Sequence, residues 1–580
     1  MKKWECSVCG YIHNDVMPPQ NCPVCNADQS LFILLENETE INDKTNYATD
    51  LDIAIVGSGV AGLTAAITAH LDGFKVAIFE KADKVGGTSK RSGGRIWVPG
   101  NLKQIEHGLL DNKQDCLRYF VRIAYPETYD PGLDFLGIDE SKYNKILSYI
   151  DNAKVMIDYL EKNKVLKYDI DINHNNEAYT DYVENIVENK SIRGRSVVTL
   201  DKDSKPQMGN GLVKLLHDFL IKEKVEIHLE SRVEDIILEN NQVKAIVVNN
   251  QIVKTKEGVI FGSGGFSKNK DLMERFQTGI HYGGCAVKEN TGDLVEIAQK
   301  HNLPLGHMNN AFRAQSILDF YRANPDGSSN MFYTVGDSVI QVNKFGKRVM
   351  NEKRGYNDRT MKHFVFDENY AGYPNRFMYL IFDQRTAEMW AGFPPYSATN
   401  IADAPHVLSG ETIDELSEHL ALHIGDIGHT IKDYVLDDDF NENLKETVER
   451  FNEFARTGVD KDFKRGESNY DLEYPTFPPT NPNTKHKLNT SKNPSMYPIS
   501  DKGPYYAIIL AAGTLDTNGG VITNEHGQIL NNNNEVIKGL YGAGNCICGI
   551  GRNSYAGAGA TLGPAMTYGY LAVKDIKNKQ

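Results

Sequence analysis

Residues 51–80 read "LDIAIVGSGVAGLTAAITAHLDGFKVAIFE" and leave the chain few choices of fold. An apolar strand enters a glycine-rich turn, the turn opens an alanine- and leucine-rich helix, and a second apolar strand ends on Glu80. Backbone amides at the N-terminus of such a helix bind a pyrophosphate, and the acid binds ribose hydroxyls. The stretch therefore predicts a Rossmann-like α/β domain that binds a dinucleotide.

Glycine clusters return in three later stretches: "KADKVGGTSKRSGG" after Glu80, "VIFGSGGF" at 259–266 and "GLYGAGN" at 539–545. The first fits a loop that passes along a dinucleotide and an isoalloxazine ring. Nicotinamide enzymes do not usually need such a loop, so FAD is favoured over NAD. The alternative is that these glycines only permit tight turns. Three returns to one cofactor favour FAD.

Composition narrows the range of partners. The formal net charge of −14 argues against nucleic acid and against an anionic membrane surface, and it favours small or neutral ligands. No uncharged apolar run approaches the ~20 residues that span a bilayer, so we expect no integral membrane segment. The N-terminus lacks the apolar stretch of a signal peptide. We therefore expect a cytoplasmic protein.

Four of the eight cysteines lie in the first 25 residues, as the pairs Cys6/Cys9 and Cys22/Cys25. Two short knuckles of this kind bring four thiolates to the corners of a tetrahedron, which suits iron or zinc. The other cysteines are scattered along the chain, so the pattern indicates a metal site and free thiols instead of a disulfide framework.

The segments "CSVCGY" and "CPVCNADQSLF" resemble a rubredoxin domain of the short kind found in rubrerythrins, over residues 1–36. With iron, this resemblance implies a one-electron carrier. The alternative is a zinc ribbon that only folds the segment or binds a partner. The polar residues 37–50 have no hydrophobic period and are expected to form a linker.

From about residue 50 to the end, the chain resembles the flavoprotein superfamily of fumarate reductase and succinate dehydrogenase flavoprotein subunits and 3-ketosteroid Δ1-dehydrogenases. The resemblance is carried by "SGGRIWVPGN", "NTGDLVEIAQ", "IFDQR", "GPYYAIIL" and "SYAGAGATLGPAMTYGYLA". It implies a Rossmann-like FAD-binding domain in two parts, 51–316 and 512–580. An α+β catalytic cap domain, residues 317–511, is inserted between them.

The glycine motifs and the resemblance together assign the positions that contact FAD. These are Gly57, Gly59, Ala61, Gly62, Glu80, Lys81, Gly87, Thr88, Ser92, Gly93, Gly94, Gly264, Gly265, Asp293, Gly544, Asn545, Ala560 and Leu562.

Two tyrosine positions indicate whether the substrate is a ketone or a carboxylic acid. Fumarate-type members bind a dicarboxylate with arginines, because a guanidinium matches a carboxylate in a closed pocket. In "VMNEKRGYNDRT" and "GIGRNSYAGAG", Tyr356 and Tyr555 stand where those arginines are expected. A shifted alignment restores an arginine clamp, since the same segments contain Arg354, Arg359 and Arg552. A phenol keeps a hydrogen-bond donor but no positive charge, so it indicates a neutral substrate with a polar group.

The 3-ketosteroid Δ1-dehydrogenases have this arrangement, and the resemblance implies a role for each residue. The Tyr555 phenol and the Gly559 amide hydrogen-bond the oxygen at carbon 3 and stabilise its enolate. Tyr356 takes a proton from carbon 2, and the flavin accepts hydride from carbon 1. Tyr182, in "YTDYVENIVENKSIRGRS", hydrogen-bonds Tyr356 and lowers its pKa, with Tyr179 as the second choice.

The sequence does not determine the direction of electron flow. The expected partner is a hydrophobic ketone such as a steroid, with an external protein that donates or accepts electrons. The attached rubredoxin-like domain leads to the hypothesis that electrons enter FAD for Δ1 reduction of a 1,4-diene-3-ketone, while 1,2-desaturation is the reverse reaction. The rivals are a reductase of α,β-unsaturated acids, of the fumarate or urocanate type, and a non-catalytic electron-transfer flavoprotein.

Overall fold

The computed structural model describes residues 3–35, 47, 50–329, 331–432, 434–473 and 477–580. The chain divides into two compact units. The first, here the cap unit, comprises Met1–Asn37, Thr278–Cys285 and Arg313–Leu515. The second, here the cofactor unit, comprises Glu38–Gln277, Ala286–Phe312 and Asp516–Gln580. Most of the linker expected at 37–50 lies outside the described residues, and the expected domain boundaries stay predictions.

The strands of the described residues, in chain order, are β1 (Lys3–Cys6), β2 (Ile12–Asn14), β3 (Phe32–Leu35), β4 (Leu51–Val56), β5 (Val76–Phe79), β6 (Ile96–Trp97), β7 (Lys167–Ile170), β8 (Ser196–Leu200), β9 (Glu226–His228), β10 (Val233–Glu239), β11 (Gln242–Val248), β12 (Gln251–Phe261), β13 (Leu305–Gly306), β14 (Ala311–Ile317), β15 (Val339–Val342), β16 (Phe377–Asp383), β17 (Leu408–Gly410), β18 (Tyr505–Thr517), β19 (Gly520–Val521), β20 (Gln528–Leu530) and β21 (Val536–Gly542).

The α-helices of the same ranges are α1 (Val60–Leu71), α2 (Leu102–Glu106), α3 (Lys113–Ala124), α4 (Glu140–Lys162), α5 (Gly209–Lys222), α6 (Lys270–Phe276), α7 (Asp293–Lys300), α8 (Leu318–Ala323), α9 (Tyr356–Met361), α10 (Gln384–Met389), α11 (Ile413–Asp426), α12 (Gly428–Ile431), α13 (Phe440–Thr457), α14 (Asn469–Glu473) and α15 (Leu562–Asn578). None of them is both long and apolar enough to cross a membrane.

The cofactor unit is built on a sheet of strand order β10-β11-β21-β12-β4-β5-β9, with β20 paired to β21. Strand β4 pairs in parallel with β5 on one side and β12 on the other. Its sequence, LDIAIV, is a nearly continuous apolar run because a central parallel strand is buried on both faces. This sheet is the Rossmann-like α/β fold expected from residues 51–80. A smaller sheet, β6-β8-β7, belongs to the same unit.

The cap unit is built on an antiparallel sheet of strand order β14-β18-β16-β15, with β17 paired to β18. Side chains of β16 alternate between two apolar clusters: Phe377, Tyr379 and Ile381 face one, while Met378, Leu380 and Phe382 face the other. Helices α11 and α13 cover the first face through residues such as Leu416 and Phe451. Because both faces are buried, these strands show no polar alternation in the sequence.

The N-terminal segment forms a three-stranded antiparallel sheet, β2-β1-β3, and shares the second apolar cluster of the cap sheet. This cluster contains the four paired cysteines and Phe32 together with cap residues such as Phe332 and Leu380. At Gly10, a Cβ atom would lie 2.6 Å from the carbonyl oxygen of Ser328 in the cap. The rubredoxin-like segment therefore packs directly on the cap.

Candidate functional site

The glycine turn after β4 leaves the N-terminus of α1 open. Gly59 caps this helix and supplies no capping side chain, and the first turn contains no acid. At Gly62, a Cβ atom would lie 1.9 Å from the carbonyl oxygen of Gly57, so only glycine lets the helix approach the strand. The first-turn amides are therefore arranged as a pyrophosphate site requires.

Glu80, at the end of β5, is held by the same turn. One carboxylate oxygen accepts from the backbone N–H (2.8 Å) and the hydroxyl (2.7 Å) of Ser58, and the other accepts from the Ala82 N–H at 2.8 Å. The acid is thus fixed beside the helix N-terminus, where the sequence motif expects a ribose. Sequence reasoning missed Ser58, although it lies between two motif glycines.

Other expected cofactor positions make contacts within the cofactor unit. Lys81 forms an ion pair with Asp293, with 2.9 Å between Nζ and Oδ2. The Ser92 hydroxyl accepts from the Gly94 N–H at 3.1 Å, and the Thr88 hydroxyl accepts from the Val287 N–H at 3.3 Å. The C-terminal positions Gly544, Asn545 and Ala560 line one cavity. Of the remaining expected positions, Ala61 lies in the first turn of α1 and Leu562 is the first residue of α15, while Gly87 starts a short 3₁₀ helix. Gly93, Gly264 and Gly265 lie on loops.

A buried carboxylate that sequence reasoning missed joins two of the glycine stretches. Asp516 accepts from the Gly265 N–H at 3.2 Å, the Asn545 side-chain amide at 2.9 Å, the Thr517 N–H at 2.8 Å and the Asn290 side-chain amide. Burial raises its pKa, while the Asn545 and Asn290 hydrogen bonds lower it. All four contacts are donors, so they favour the ionised form. The sequence signal was the acid before the glycine pair in "LDTNGG".

Two of the expected catalytic tyrosines lie together in the cofactor unit. The rings of Tyr182 and Tyr555 stack, with 5.5 Å between centroids and 17° between planes. Phe312 packs edge-on against Tyr555, at a centroid distance of 5.3 Å. Both tyrosines are almost fully buried. The phenols are therefore held in a dry aromatic setting.

Gly559 lies four residues after Tyr555, in the left-handed region at φ +92°. A Cβ atom there would lie 2.5 Å from the backbone nitrogens of Ile96 and Trp97. Its carbonyl accepts from the Trp97 N–H at 3.2 Å and the Gly563 N–H at 2.9 Å. Within the described ranges its own N–H donates to no group. This amide can therefore donate to a ligand oxygen.

Tyr356 belongs to the other unit, the cap. It is the first residue of α9 and is 3% exposed. The Tyr333 ring lies 6.0 Å away, between centroids. Tyr182, Tyr555 and Gly559 are thus grouped in the cofactor unit, and Tyr356 lies beside Tyr333 in the cap unit.

The three arginines that could restore an anion clamp all have partners within their own units. Arg354 donates to the Ser468 hydroxyl at 3.1 Å and lies 3.8 Å from Asp471. Arg552 pairs with Glu127. Arg359 is buried and donates to the Gln315 amide oxygen at 3.0 Å, to the Phe332 carbonyl at 2.8 Å and to the Thr334 hydroxyl. Burial lowers the pKa of Arg359 to about 10.

The four N-terminal cysteines converge on one point. Their sulfur atoms lie within 4.8 Å of one another, with 3.6 Å between Cys6 and Cys25 and 3.5 Å between Cys9 and Cys22. A tetrahedron with metal–sulfur bonds of about 2.3 Å has sulfur edges of about 3.8 Å, so the four thiols fit a Cys₄ iron or zinc site. The carbonyls of Cys6 and Cys22 accept from Gly10 and Asn26, which gives two similar knuckles.

Comparison with known families accounts for both parts of the chain. The FAD binding domain family matches residues 52–562. The rubrerythrin, rubredoxin-like domain family matches residues 4–33. Both cofactor sites expected from the sequence, FAD and a rubredoxin-type metal, therefore lie in segments of the matching kind.

Three similar proteins cover nearly the whole chain. The 3-oxosteroid 1-dehydrogenase of Mycolicibacterium smegmatis is 29% identical over 91% of this chain and 97% of its own length. The 4-oxocyclohexanecarboxylate 2-dehydrogenase of Sinomonas cyclohexanicum is 27% identical, with coverage of 90% and 92%. The solved 3-ketosteroid delta1-dehydrogenase of Sterolibacterium denitrificans, in complex with 1,4-androstadiene-3,17-dione, is 24% identical and covers 92% and 100% of the two chains. Its TM-score of 0.76 shows that the fold is shared.

The open helix N-terminus, the anchored Glu80 and the returning glycine stretches thus agree with the family match over 52–562. The protein is an FAD-dependent oxidoreductase, and its chain belongs to the FAD binding domain family.

Proposed function

We propose that this protein transfers hydrogen at the 1,2 bond of a 3-ketosteroid, with FAD as the hydride carrier. The observation that carries the proposal is the pair of stacked phenols, Tyr182 and Tyr555, together with the Gly559 amide, which donates to no group of the described residues. Arg552, in the same unit, pairs with Glu127. Such a site offers neutral donors to a carbonyl, whereas the charge of Arg552 is already paired with a carboxylate. Similar proteins named for 3-oxosteroids and for an oxocyclohexane ring support a cyclic ketone.

Each residue has one part in the proposed mechanism. The Tyr555 hydroxyl and the Gly559 N–H donate to the ketone oxygen and hold its charge as an enolate forms; one such donor is worth about 3 kcal/mol. Tyr356 holds the proton that leaves or enters at carbon 2. Tyr182 supports ionisation of Tyr356 by a hydrogen bond. Bound FAD would supply the hydride chemistry at carbon 1, as acceptor in desaturation and as donor in the reverse direction.

Tyr356 needs such support because a free phenol has a pKa near 10, so only about one molecule in a thousand is ionised at neutral pH. A donor to the phenolate oxygen lowers the pKa. The proposed mechanism therefore depends on the neighbours of this tyrosine.

We further propose that the physiological direction is reduction. The Cys₄ site packs in the same apolar cluster as the core of the cap, so its position relative to the cap is fixed. Reduction of a 1,4-diene-3-ketone to the 4-ene-3-ketone consumes two electrons and two protons. An external one-electron donor protein would supply the electrons, and iron held by Cys6, Cys9, Cys22 and Cys25 would supply one-electron chemistry for their relay.

The test is anaerobic flavin spectroscopy with a panel of steroids. A saturated 3-ketosteroid should bleach oxidised flavin, and a 1,4-diene-3-ketone should reoxidise reduced flavin. Absence of both responses would reject the ketosteroid assignment and leave an electron-transfer flavoprotein. Rapid desaturation with a dye acceptor, without turnover of the diene by enzyme reduced at both centres, would reject the reductive direction alone.

The location expected from the sequence also stays a proposal. The described cysteines form no disulfide bond with one another, and such a protein suits a reducing compartment such as the cytoplasm. Alkylation of unfolded, freshly extracted protein should modify at least the four cysteines outside the metal site, whereas blocked thiols would contradict it.

A further inference from the structure

One buried ion cluster links Tyr182 to the loop that carries Tyr555 and Gly559. We call it the Arg195 clamp; it consists of Arg195, Asp111 and Asp181. The Arg195 side chain is fully buried and donates to both carboxylate oxygens of Asp111, at 2.8 and 2.7 Å. Its remaining terminal nitrogen donates to Asp181 at 2.6 Å.

Asp181 connects the clamp to Gly559 through an indole. Its second oxygen accepts from the Trp97 Nε1–H at 2.8 Å. The backbone N–H of Trp97 in turn donates to the Gly559 carbonyl at 3.2 Å. A shift of the Asp181 carboxylate therefore reaches the Gly559 peptide through one residue.

The clamp is also connected to Tyr182 and to the loop before Gly559. Asp181 directly precedes Tyr182, whose N–H donates to the Ala556 carbonyl at 2.9 Å. The Tyr119 hydroxyl donates to the same carbonyl at 2.7 Å, and the Arg195 guanidinium lies 5.4 Å from the centre of the Tyr119 ring. At Gly557, a Cβ atom would lie 2.9 Å from the Asp181 carboxylate. The loop thus packs closely around this carboxylate.

Burying two carboxylates and one guanidinium in one cluster carries a free-energy cost of desolvation. Buried ions lose their hydration, and apolar residues of the same volume often stabilise a fold as well or better. What ions add is direction, because each hydrogen bond fixes an angle as well as a distance. The clamp therefore suits a place where two phenols and one amide must keep a fixed geometry.

We propose that Asp181, held by Arg195, is a positioning residue that sets the Tyr182–Tyr555 stack and the Gly559 amide in their working arrangement. It contacts neither ketone nor flavin and acts through these three residues. Its effect on turnover rests on the proposed function, whereas its effect on the loop does not.

The first experiment is Asp181→Asn in the full-length enzyme, followed by hydrogen–deuterium exchange over residues 553–561. We expect faster exchange in this loop, no change over 259–266, and unchanged FAD and metal content. With a 3-ketosteroid, kcat should fall about 10- to 100-fold, because a shift of about 1 Å in a catalytic group has an effect of that size. KM should change less than kcat.

The matched control is Asp460→Asn. In the cap, Arg348 lies between Glu352 and Asp460, at 2.6 and 2.8 Å, so this variant also removes one carboxylate from a buried arginine. It should leave exchange over 553–561 unchanged and turnover within about threefold of the wild type. Equal losses of turnover in the two variants would overturn the proposal, because they would reflect general destabilisation.

A double-mutant cycle with Tyr182→Phe tests how Asp181 acts. If the two residues work through one arrangement, the double variant loses much less than the product of the single losses. Full multiplication of the two effects would overturn the proposal. If Asp181→Asn does not fold, Trp97→Phe removes the indole donor alone and should give the same loop exchange in milder form.

The proposed ketosteroid function and the proposed role of the Arg195 clamp are tested by different outcomes. Normal ketosteroid turnover by Tyr182→Phe and Tyr555→Phe would reject the proposed function, while faster loop exchange in Asp181→Asn would still support the clamp. Unchanged loop exchange in both Asp181→Asn and Trp97→Phe would reject the clamp, whatever the substrate.

Discussion

Tyr182 and Tyr555 are 373 positions apart in the sequence, yet their rings stack at 5.5 Å with a 17° angle between planes. The stack joins a loop after β7 to the loop before α15. Both phenols are buried, so their hydroxyls act in a medium where hydrogen bonds to developing charge are strong. The first prediction concerns these hydroxyls.

Tyr555→Phe should lower kcat for a 3-ketosteroid by about 10²–10³-fold, because it removes one donor to the enolate oxygen while the ring keeps its stacking partner. Tyr182→Phe should lower kcat by a smaller factor, through Tyr356. Rates of flavin bleaching after rapid mixing with ketosteroid measure both effects. The control is Tyr179→Phe, a tyrosine of the same segment, which should react like the wild type. The reverse order, with Tyr179→Phe slow and Tyr182→Phe normal, would contradict the assignment.

Gly62→Ala should abolish retention of FAD. The added methyl would lie 1.9 Å from the Gly57 carbonyl oxygen, so α1 must move away from the glycine turn. Gly425→Ala in α11 is the matched control, because outside the backbone of its own helix no atom of the described residues lies within 4 Å of its added Cβ. It should retain FAD and gain up to about 1 kcal/mol from helix propensity. Flavin absorbance after gel filtration is the measurement, and a yellow Gly62→Ala protein would contradict the site.

Cys22→Ser should remove the metal and also weaken the cap. The four cysteines lie in the apolar cluster that includes β16 residues of the cap sheet, so loss of the metal loosens one face of that sheet. We expect a lower melting temperature, retained FAD, and loss of flavin reduction by a one-electron donor protein. Cys116→Ser, at a buried cysteine outside the site, is the control for thiol loss. Metal analysis decides between iron and zinc, and zinc alone would reject the electron route.

Acid should destabilise the cap through His363. Burial lowers the pKa of this histidine to about 4. Its Nδ1 lies 3.1 Å from the Arg376 carbonyl and its Nε2 lies 3.0 Å from the Gln315 amide nitrogen, so a neutral ring donates at Nδ1 and accepts at Nε2. The unfolded chain binds the proton near pH 6.5 and the folded chain only near pH 4, so this contribution to stability is complete above 6.5 and is lost as pH falls toward 4.

Between pH 6.5 and pH 4, the free energy of unfolding falls by on the order of 3 kcal/mol for one such histidine. His363→Gln should flatten the pH dependence of the unfolding free energy between pH 4 and 6.5 by about one proton. Urea titrations at several pH values provide the measurement. An unchanged slope in this variant would show that His363 titrates normally in the folded protein.

Local patterns made much of the fold readable from the sequence. The glycine turn, α1 and Glu80 are neighbours along the chain, so residues 51–80 alone predict the dinucleotide site. The CxxC pairs predict the metal site for the same reason. Tyr182, Tyr555 and Gly559 were assigned only by resemblance to a family, because single tyrosines and glycines carry no pattern of their own, and their catalytic roles stay predictions.

Contacts between segments far apart in the sequence could not be predicted from local patterns. Asp516 joins Gly265 to Asn545, and Arg195 joins Asp111 to Asp181, but one acid among many gives no periodic signal. The packing of the cysteine knuckles on the cap depends on surfaces more than 300 residues away, such as Ser328. The strands of the cap sheet could not be recognised in the sequence, because strands buried on both faces lack the alternation of polar and apolar residues.

The sharpest test is reoxidation of photoreduced enzyme under anaerobic conditions, by 1,4-androstadiene-3,17-dione in one sample and by fumarate in another. We predict rapid reoxidation by the dienone and none by fumarate, with both results unchanged in Arg354→Gln and Arg552→Gln. Reoxidation by fumarate that disappears in either arginine variant, together with no response to the dienone, would show that the site binds an anion and would contradict the account.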